Sequence, residues 1–283
     1  MKIQQDKLNE LIDICSNFYN SELKRHNDAS HPINVLLFLV DNNYEDNPKL
    51  KELNQQLMAH EFNVIMNIPE SYNGSGQSTS TWIICDLPLS VYISILLNNK
   101  RIDNIHEEYI EKIVNMMECN GWRCTNKGNL GKFRGPGKKE DECPLATLNV
   151  LKMLTLTNDN EYLEAKEKAI KTLLSLWNER KQRKAYLFGI GTDFKKLKYP
   201  LIWYDILNEV NVLSHYQSAI NTNEFKEMYS TIKSKEVNGN FIPESVYQFW
   251  KGYDFGQKKM QSEYLKETIS DIDKRIRLTN AST

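Results

Sequence analysis

Proline recurs at positions 32, 88, 144 and 200, a constant interval of 56 residues, and each copy heads an apolar run: HPINVLLFLV, LPLSVYISILL, CPLATLNVLKML and YPLIWYDILNEV. Proline is tolerated in the first turn of a helix because the amide it lacks has no intrahelical partner there. Each proline therefore predicts the start of a buried helix. A fixed period of this length belongs to repeat architectures, in which each unit covers its apolar face with its neighbours. Between the proline-led runs lie patterns richer in charge, over 49–62, 106–118, 161–177 and 223–235. In the third, Leu163, Ile170, Leu173, Leu174 and Trp177 share one helical stripe, with Lys166, Lys168 and Lys171 off it. Each repeat reads as an inner apolar helix followed by an outer amphipathic one.

The expected fold is all-α: an α/α toroid of about five helical hairpins, with inner and outer helix rings, forming a single domain over 1–283. The repeat units are about 32–87, 88–143, 144–199 and 200–256, and helices at 5–23 and 262–276 supply the hairpin that closes the ring. An open solenoid is the alternative, disfavoured because neither terminal helix reads as a polar cap. A net charge of −1 argues against general nucleic-acid affinity. No apolar run approaches the roughly 20 residues of a membrane-spanning helix, and the charged N-terminus does not read as a signal peptide. Five cysteines, an odd number, fit a reducing compartment better than a disulfide framework. Together these features predict a cytoplasmic protein without a transmembrane segment.

The long connections, 63–87, 121–142, 178–199 and 238–261, all precede inner helices and so belong at one end of the array. Loops of such length are uncommon in compact domains unless they are functional. The richest, GWRCTNKGNLGKFRGPGKKEDECP, carries Arg123, Lys132, Arg134 and Lys138 and ends at a helix start, where free amides favour anions. The next brings Lys195, Lys196 and Lys198 to a second helix start. Two basic loops suit a phosphate-like head group, though solvated loop charges have the same composition. There is no GxxxxGK[ST] or other nucleotide-binding motif. In the 56-residue register Cys143 aligns with His31, Leu87 and Tyr199, and Asp141 aligns with Cys85, which Asp86 follows. Convergence in a ring would make His31, Cys85, Asp86, Asp141 and Cys143 a zinc ligand set; a buried inert Cys143 beside a surface Asp141 is the plainer reading. Asp205, in WYDIL, must be hydrogen-bonded, paired or protonated among its apolar neighbours, and facing a cavity it would be a general acid or base. Trp82, Trp203 and Tyr204, with Tyr92 and Tyr199, would line an apolar pocket or simply pack the core.

Gly121-Trp122, the basic loop, the D-x-C of Asp141 and Cys143 and the helix that follows resemble one repeat of the protein prenyltransferase β subunit, in the α/α-toroid superfamily that includes the squalene cyclases. The segment PESVYQFWKGYDFGQKK, with CPLATL and YPLIWYDIL, is similar to a bacterial group named for the same repeats. The resemblance implies a central apolar cavity for an isoprenoid, zinc on Asp141 and Cys143, and a diphosphate contact at Lys138. Two departures stand out. The place of the third zinc ligand, a histidine, is Pro200, and of the cyclases' DxDD only Asp271 and Asp273 appear. The function expected is binding of an elongated apolar, isoprenoid-like ligand in a central cavity, its anionic head on Arg123, Lys132, Arg134 and Lys138. Any reaction would be a transfer or cyclisation using Asp205 and Asp141, and a protein partner could supply missing groups. The alternative is a non-catalytic toroid that binds a protein or peptide on its loop-bearing face.

Overall fold

The computed structural model of the chain describes residues 3–67, 78–81, 83–119, 121–125 and 141–281. They are helical apart from one small antiparallel ladder, in the order α1 (Gln5–Cys15), α2 (Pro32–Asp41), α3 (Pro48–Ala59), β1 (Val64–Asn67), β2 (Ser78–Thr81), α4 (Leu87–Leu97), α5 (Asn104–Asn115), α6 (Pro144–Leu154), α7 (Leu163–Asn178), α8 (Ile206–Leu213), α9 (Asn223–Lys233) and α10 (Glu263–Ala281), with short helical turns between. The all-α class expected from the pattern is what the chain adopts. The ladder, pairing Val64 with Thr81 through Asn67 with Ser78, lies in a connection read from sequence as irregular. The residues divide into two compact units, 2–165 and 166–283.

In the first unit the apolar runs become α2, α4 and α6, which pack side by side in chain order, while α1, α3 and α5 lie against them on the outside. Proline stands in the first turn of each inner helix. Every residue of α6 is buried, and so is every residue of α2 except Asp41 and of α4 except Tyr92. At about 1.5–3 kcal/mol for each large aliphatic side chain taken fully out of water, these helices carry the core of the unit. Polar cross-links fix their relative rotation. Asp41 accepts from Lys152 Nζ at 2.6 Å and from Tyr92 Oη at 2.9 Å, joining all three inner helices. Ser94 donates to Asn54 at 2.6 Å and meets His106 Nε2 at 2.9 Å, fastening α4 to α3 and α5.

In the second unit α8 packs against α9 and α10. Arg275 donates to Ser214 Oγ at 2.8 Å and Asn211 Oδ1 at 2.6 Å, satisfying the C-terminal end of α8 from α10. Asp273 accepts from Tyr229 Oη at 2.8 Å and Lys233 Nζ at 3.2 Å. The half-motif of Asp271 and Asp273 is thus, at Asp273, a fastener between α9 and α10.

Three expectations are corrected here. Pro200 does not open a helix: it follows a cis peptide bond, and α8 begins only at Ile206, behind an Asp205 cap. Leu163, placed on the buried stripe of α7, is 54% exposed, while Ile170, Leu173, Leu174 and Trp177 are buried. The first helix ends at Cys15 instead of reaching residue 23, and a short 3-10 turn follows at Phe18–Asn20.

Candidate functional site

The side chains that the repeat register singled out sit at the starts of inner helices, where four backbone amides lack intrahelical partners. His31 caps α2, its Nδ1 accepting from Ile33 N at 3.2 Å. Cys143 caps α6, its Sγ accepting from Ala146 N at 3.5 Å. Asp205 caps α8 through Oδ1, which accepts from Leu207 N and Asn208 N, each at 3.1 Å. Asp86 precedes α4 but makes no capping bond. Its carboxylate oxygens lie 2.9 and 3.0 Å from His26 Nδ1 instead. Burial pulls His26 down in pKa, but the charge and hydrogen bond of Asp86 outweigh it, so the imidazole titrates above its usual value. His31 moves the other way, lowered chiefly by burial.

Beside this pair lie three thiols. Cys85 and Cys143 are buried with their sulfurs 3.4 Å apart, and Cys124 hydrogen-bonds to both. The segment carrying Cys124 is pinned on each side: Trp122 O accepts from Cys143 N at 2.7 Å, and Thr125 O accepts from Ile84 N at 3.0 Å. Asn149 Nδ2 donates to Cys85 O at 2.6 Å, tying α6 to the start of α4. Hydrogen bonds from Cys124 and Cys143, with burial, push the Cys85 thiol well up, and Cys124 with burial does the same for Cys143. Of the five residues that the register aligned, Cys85 and Cys143 are in contact within the 2–165 unit. His26, and the position of Cys124 beside the other sulfurs, were not read from sequence, because neither falls on a repeat position.

The 166–283 unit contains a buried acid cluster. Asp205 and Glu209 are 1% and 0% exposed. Among the described residues Asp205 Oδ2, both carboxyl oxygens of Glu209, Asn208 Oδ1 and Tyr247 Oη are buried without a hydrogen-bond partner. Burial raises Asp205 to about 7 against the opposing pull of its capping amides and Lys198. Burial and then the Asp205 charge raise Glu209 well above the usual carboxylate range. Asn208 Nδ2 donates to Leu201 O at 3.2 Å and Trp203 O at 2.9 Å, holding the approach to α8. Glu209 was overlooked in the sequence, although its i,i+4 spacing from Asp205 places both on one helix face.

The other candidate residues have individual fates. Trp82, Lys132, Arg134 and Lys138 lie outside the described residues. Arg123 pairs with Glu118 at 2.8 Å, and Lys196 and Lys198 pair with Asp193 at 3.5 and 2.7 Å, so these cations answer neighbouring carboxylates. Trp203 and Tyr204 are half-buried with ring centroids 4.5 Å apart, and Tyr204 Oη donates to Tyr186 O. Asp141 is half-buried. Of the two zinc ligands implied by the resemblance, Cys143 caps α6, and among the described residues no three His, Cys, Asp or Glu side chains are arranged for a metal ion. A surface groove of about 290 Å³ in the second unit is lined by Glu167, Lys171, Asn178, Ser218 and Glu224 among others, a mixed polar surface. No described helix is long and apolar enough to cross a membrane. Comparisons of the chain with protein families, with curated proteins and with solved structures give no match.

Proposed function

We propose that the chain is an α/α-toroid protein that binds an elongated apolar, isoprenoid-like ligand, with Asp205 as a Brønsted acid toward it. The observation that carries the acid role is the state of Asp205. One carboxyl oxygen is anchored by two amides and the other is buried without a hydrogen-bond partner among the described residues, on a group that stays protonated to near neutral pH. A carboxylic acid kept neutral by an apolar site is suited to proton transfer at physiological pH. The step would pass the Oδ2 proton to a carbon–carbon double bond, leaving a carboxylate and a carbocation; a later loss of a proton from that cation would restore the acid. Aromatic faces stabilise such cations, and this unit is rich in them, with Tyr199, Phe255 and Tyr264 in mutual contact. The inner-helix packing of the 2–165 unit supports the toroid reading.

The test uses squalene as a neutral polyene and farnesyl diphosphate as an anionic one, with native mass spectrometry for binding and gas chromatography for products. Asp205→Asn keeps a good capping side chain and removes the proton, so conversion should fall by about 10²-fold or more while binding persists. Failure of both probes to bind would overturn the ligand class. Unchanged conversion by the variant would overturn the role of Asp205.

A further inference from the structure

We propose that Cys85, Cys124 and Cys143 form a redox site that a hydroperoxide converts to an intramolecular disulfide. The site is distinct from the acid cluster and independent of the proposed function. Its geometry is specific. Cys85 and Cys143 stand 3.4 Å apart, and closing a bond of about 2.05 Å asks only for a small approach of two side chains already in contact. Cys124, hydrogen-bonded to both, is the partly exposed member through which an oxidant enters. The backbone bonds that Trp122 O and Thr125 O accept hold its segment beside the other two. An imidazolium near a thiol favours the thiolate, and His26, braced by Asp86, is near enough to Cys124 for their charges to interact.

The Cys124 thiolate attacks the terminal peroxide oxygen, the O–O bond breaks, and the departing alkoxide, or hydroxide from hydrogen peroxide, takes a proton from His26 and leaves as the alcohol or as water. Cys124 is then a sulfenic acid, its sulfur oxidised by two electrons and the peroxide reduced. The thiol of Cys85 or Cys143 attacks that sulfur, forming S–S and breaking S–O, and the hydroxyl leaves as water with the attacking thiol's proton. Attack by the third thiol can then move the bridge to Cys85–Cys143 and release Cys124 as a thiol. The sum is two thiols and one hydroperoxide giving one disulfide, one water and one alcohol, or two waters for hydrogen peroxide. Cys15, buried in α1, is not among these contacts, and Cys119 is exposed, so both serve as internal controls.

The experiment treats the reduced full-length protein with hydrogen peroxide, alkylates the remaining thiols and maps disulfides by mass spectrometry. The expected product is about 2 Da lighter than the reduced chain, with one bridge inside the trio and Cys15 and Cys119 still alkylated. Cys124→Ser should slow bridge formation about tenfold or more. Cys143→Ser, which retains a capping side chain, should trap a Cys85–Cys124 bridge. The proposal is overturned if peroxide takes Cys124 only to sulfinic or sulfonic acid, or if bridges run through Cys119. It is also overturned if Cys124→Ser forms the bridge at the wild-type rate, or if stoichiometric bound zinc holds the thiols and blocks oxidation.

Discussion

A buried carboxyl group such as Asp205 makes stability depend on pH in a direction that can be worked out. Its pKa is about 7 in the folded chain, against 3.8 for an ordinary aspartate. Between those values the folded state keeps a proton that the unfolded chain has released, so stability falls as pH rises through the window. At about 1.4 kcal/mol per pH unit, the loss from Asp205 alone is on the order of 3–4 kcal/mol. Glu209 acts in the same direction. His26, raised by Asp86, also holds its proton more tightly when folded, and its contribution is lost as pH climbs past its folded value. His31 and His106, lowered by burial, oppose it, weakening the fold as pH drops below the ordinary histidine range. Comparing wild type with Asp205→Asn cancels the histidines and leaves Asp205 together with its coupling to Glu209. Urea unfolding at pH 4.5 and 7.5 should show the wild type losing on the order of 3 kcal/mol relative to the variant; parallel behaviour would mean that Asp205 carries no buried proton.

At the scale of elements, helix starts explain most of the chain's unusual side chains. A proline in the first turn removes one orphan amide, and a side-chain oxygen, nitrogen or sulfur just before it satisfies another. Asn47 does this for α3, accepting from Lys49 N at 3.0 Å, and Thr222 for α9, accepting from Phe225 N at 3.2 Å. Residues that look chemically special by register, His31 and Cys143, have a structural duty there; Asp86 is the exception, spending its carboxylate on His26. The 3-10 turn Asp254–Gly256 depends on a different constraint. A Cβ at Gly256 would fall 1.9 Å from the carbonyl oxygen of Trp250, so the turn closes only over glycine. Gly256→Ala should destabilise the protein by more than about 2 kcal/mol, because the atom in the way is backbone and cannot rotate aside. A thermal midpoint within a degree of wild type would contradict that close approach.

At the scale of the molecule, stability concentrates in the inner helices. Amides of α2, α4 and α6 should exchange with solvent only on global opening of the 2–165 unit, while the outward faces of α1, α3 and α5 exchange sooner. Hydrogen-exchange mass spectrometry reads this directly, and an early-exchanging α4 would contradict its place between α2 and α6. Much of this architecture was written in the sequence. Periodicity located the long helices to within a few residues, except α1 and α8, because apolar spacing and first-turn proline act locally. The same local logic misplaced the start of α8, since a proline alone does not say whether the chain turns or coils after it. Sequence also supplied Cys85, Asp86, Cys143 and Asp205 as candidates. It did not supply His26 or the place of Cys124 beside the other two thiols. His26 lies 60 residues from Asp86, and Cys124 reaches Cys85 through backbone bonds that exist only after α4 and α6 have packed. Whether Asp205 is a surface cap or a buried acid was likewise decided by burial. Local periodicity thus determined the helices and their caps. The tertiary structure decided which caps share protons, because distance and desolvation belong to the packed chain and have no counterpart in the order of its residues.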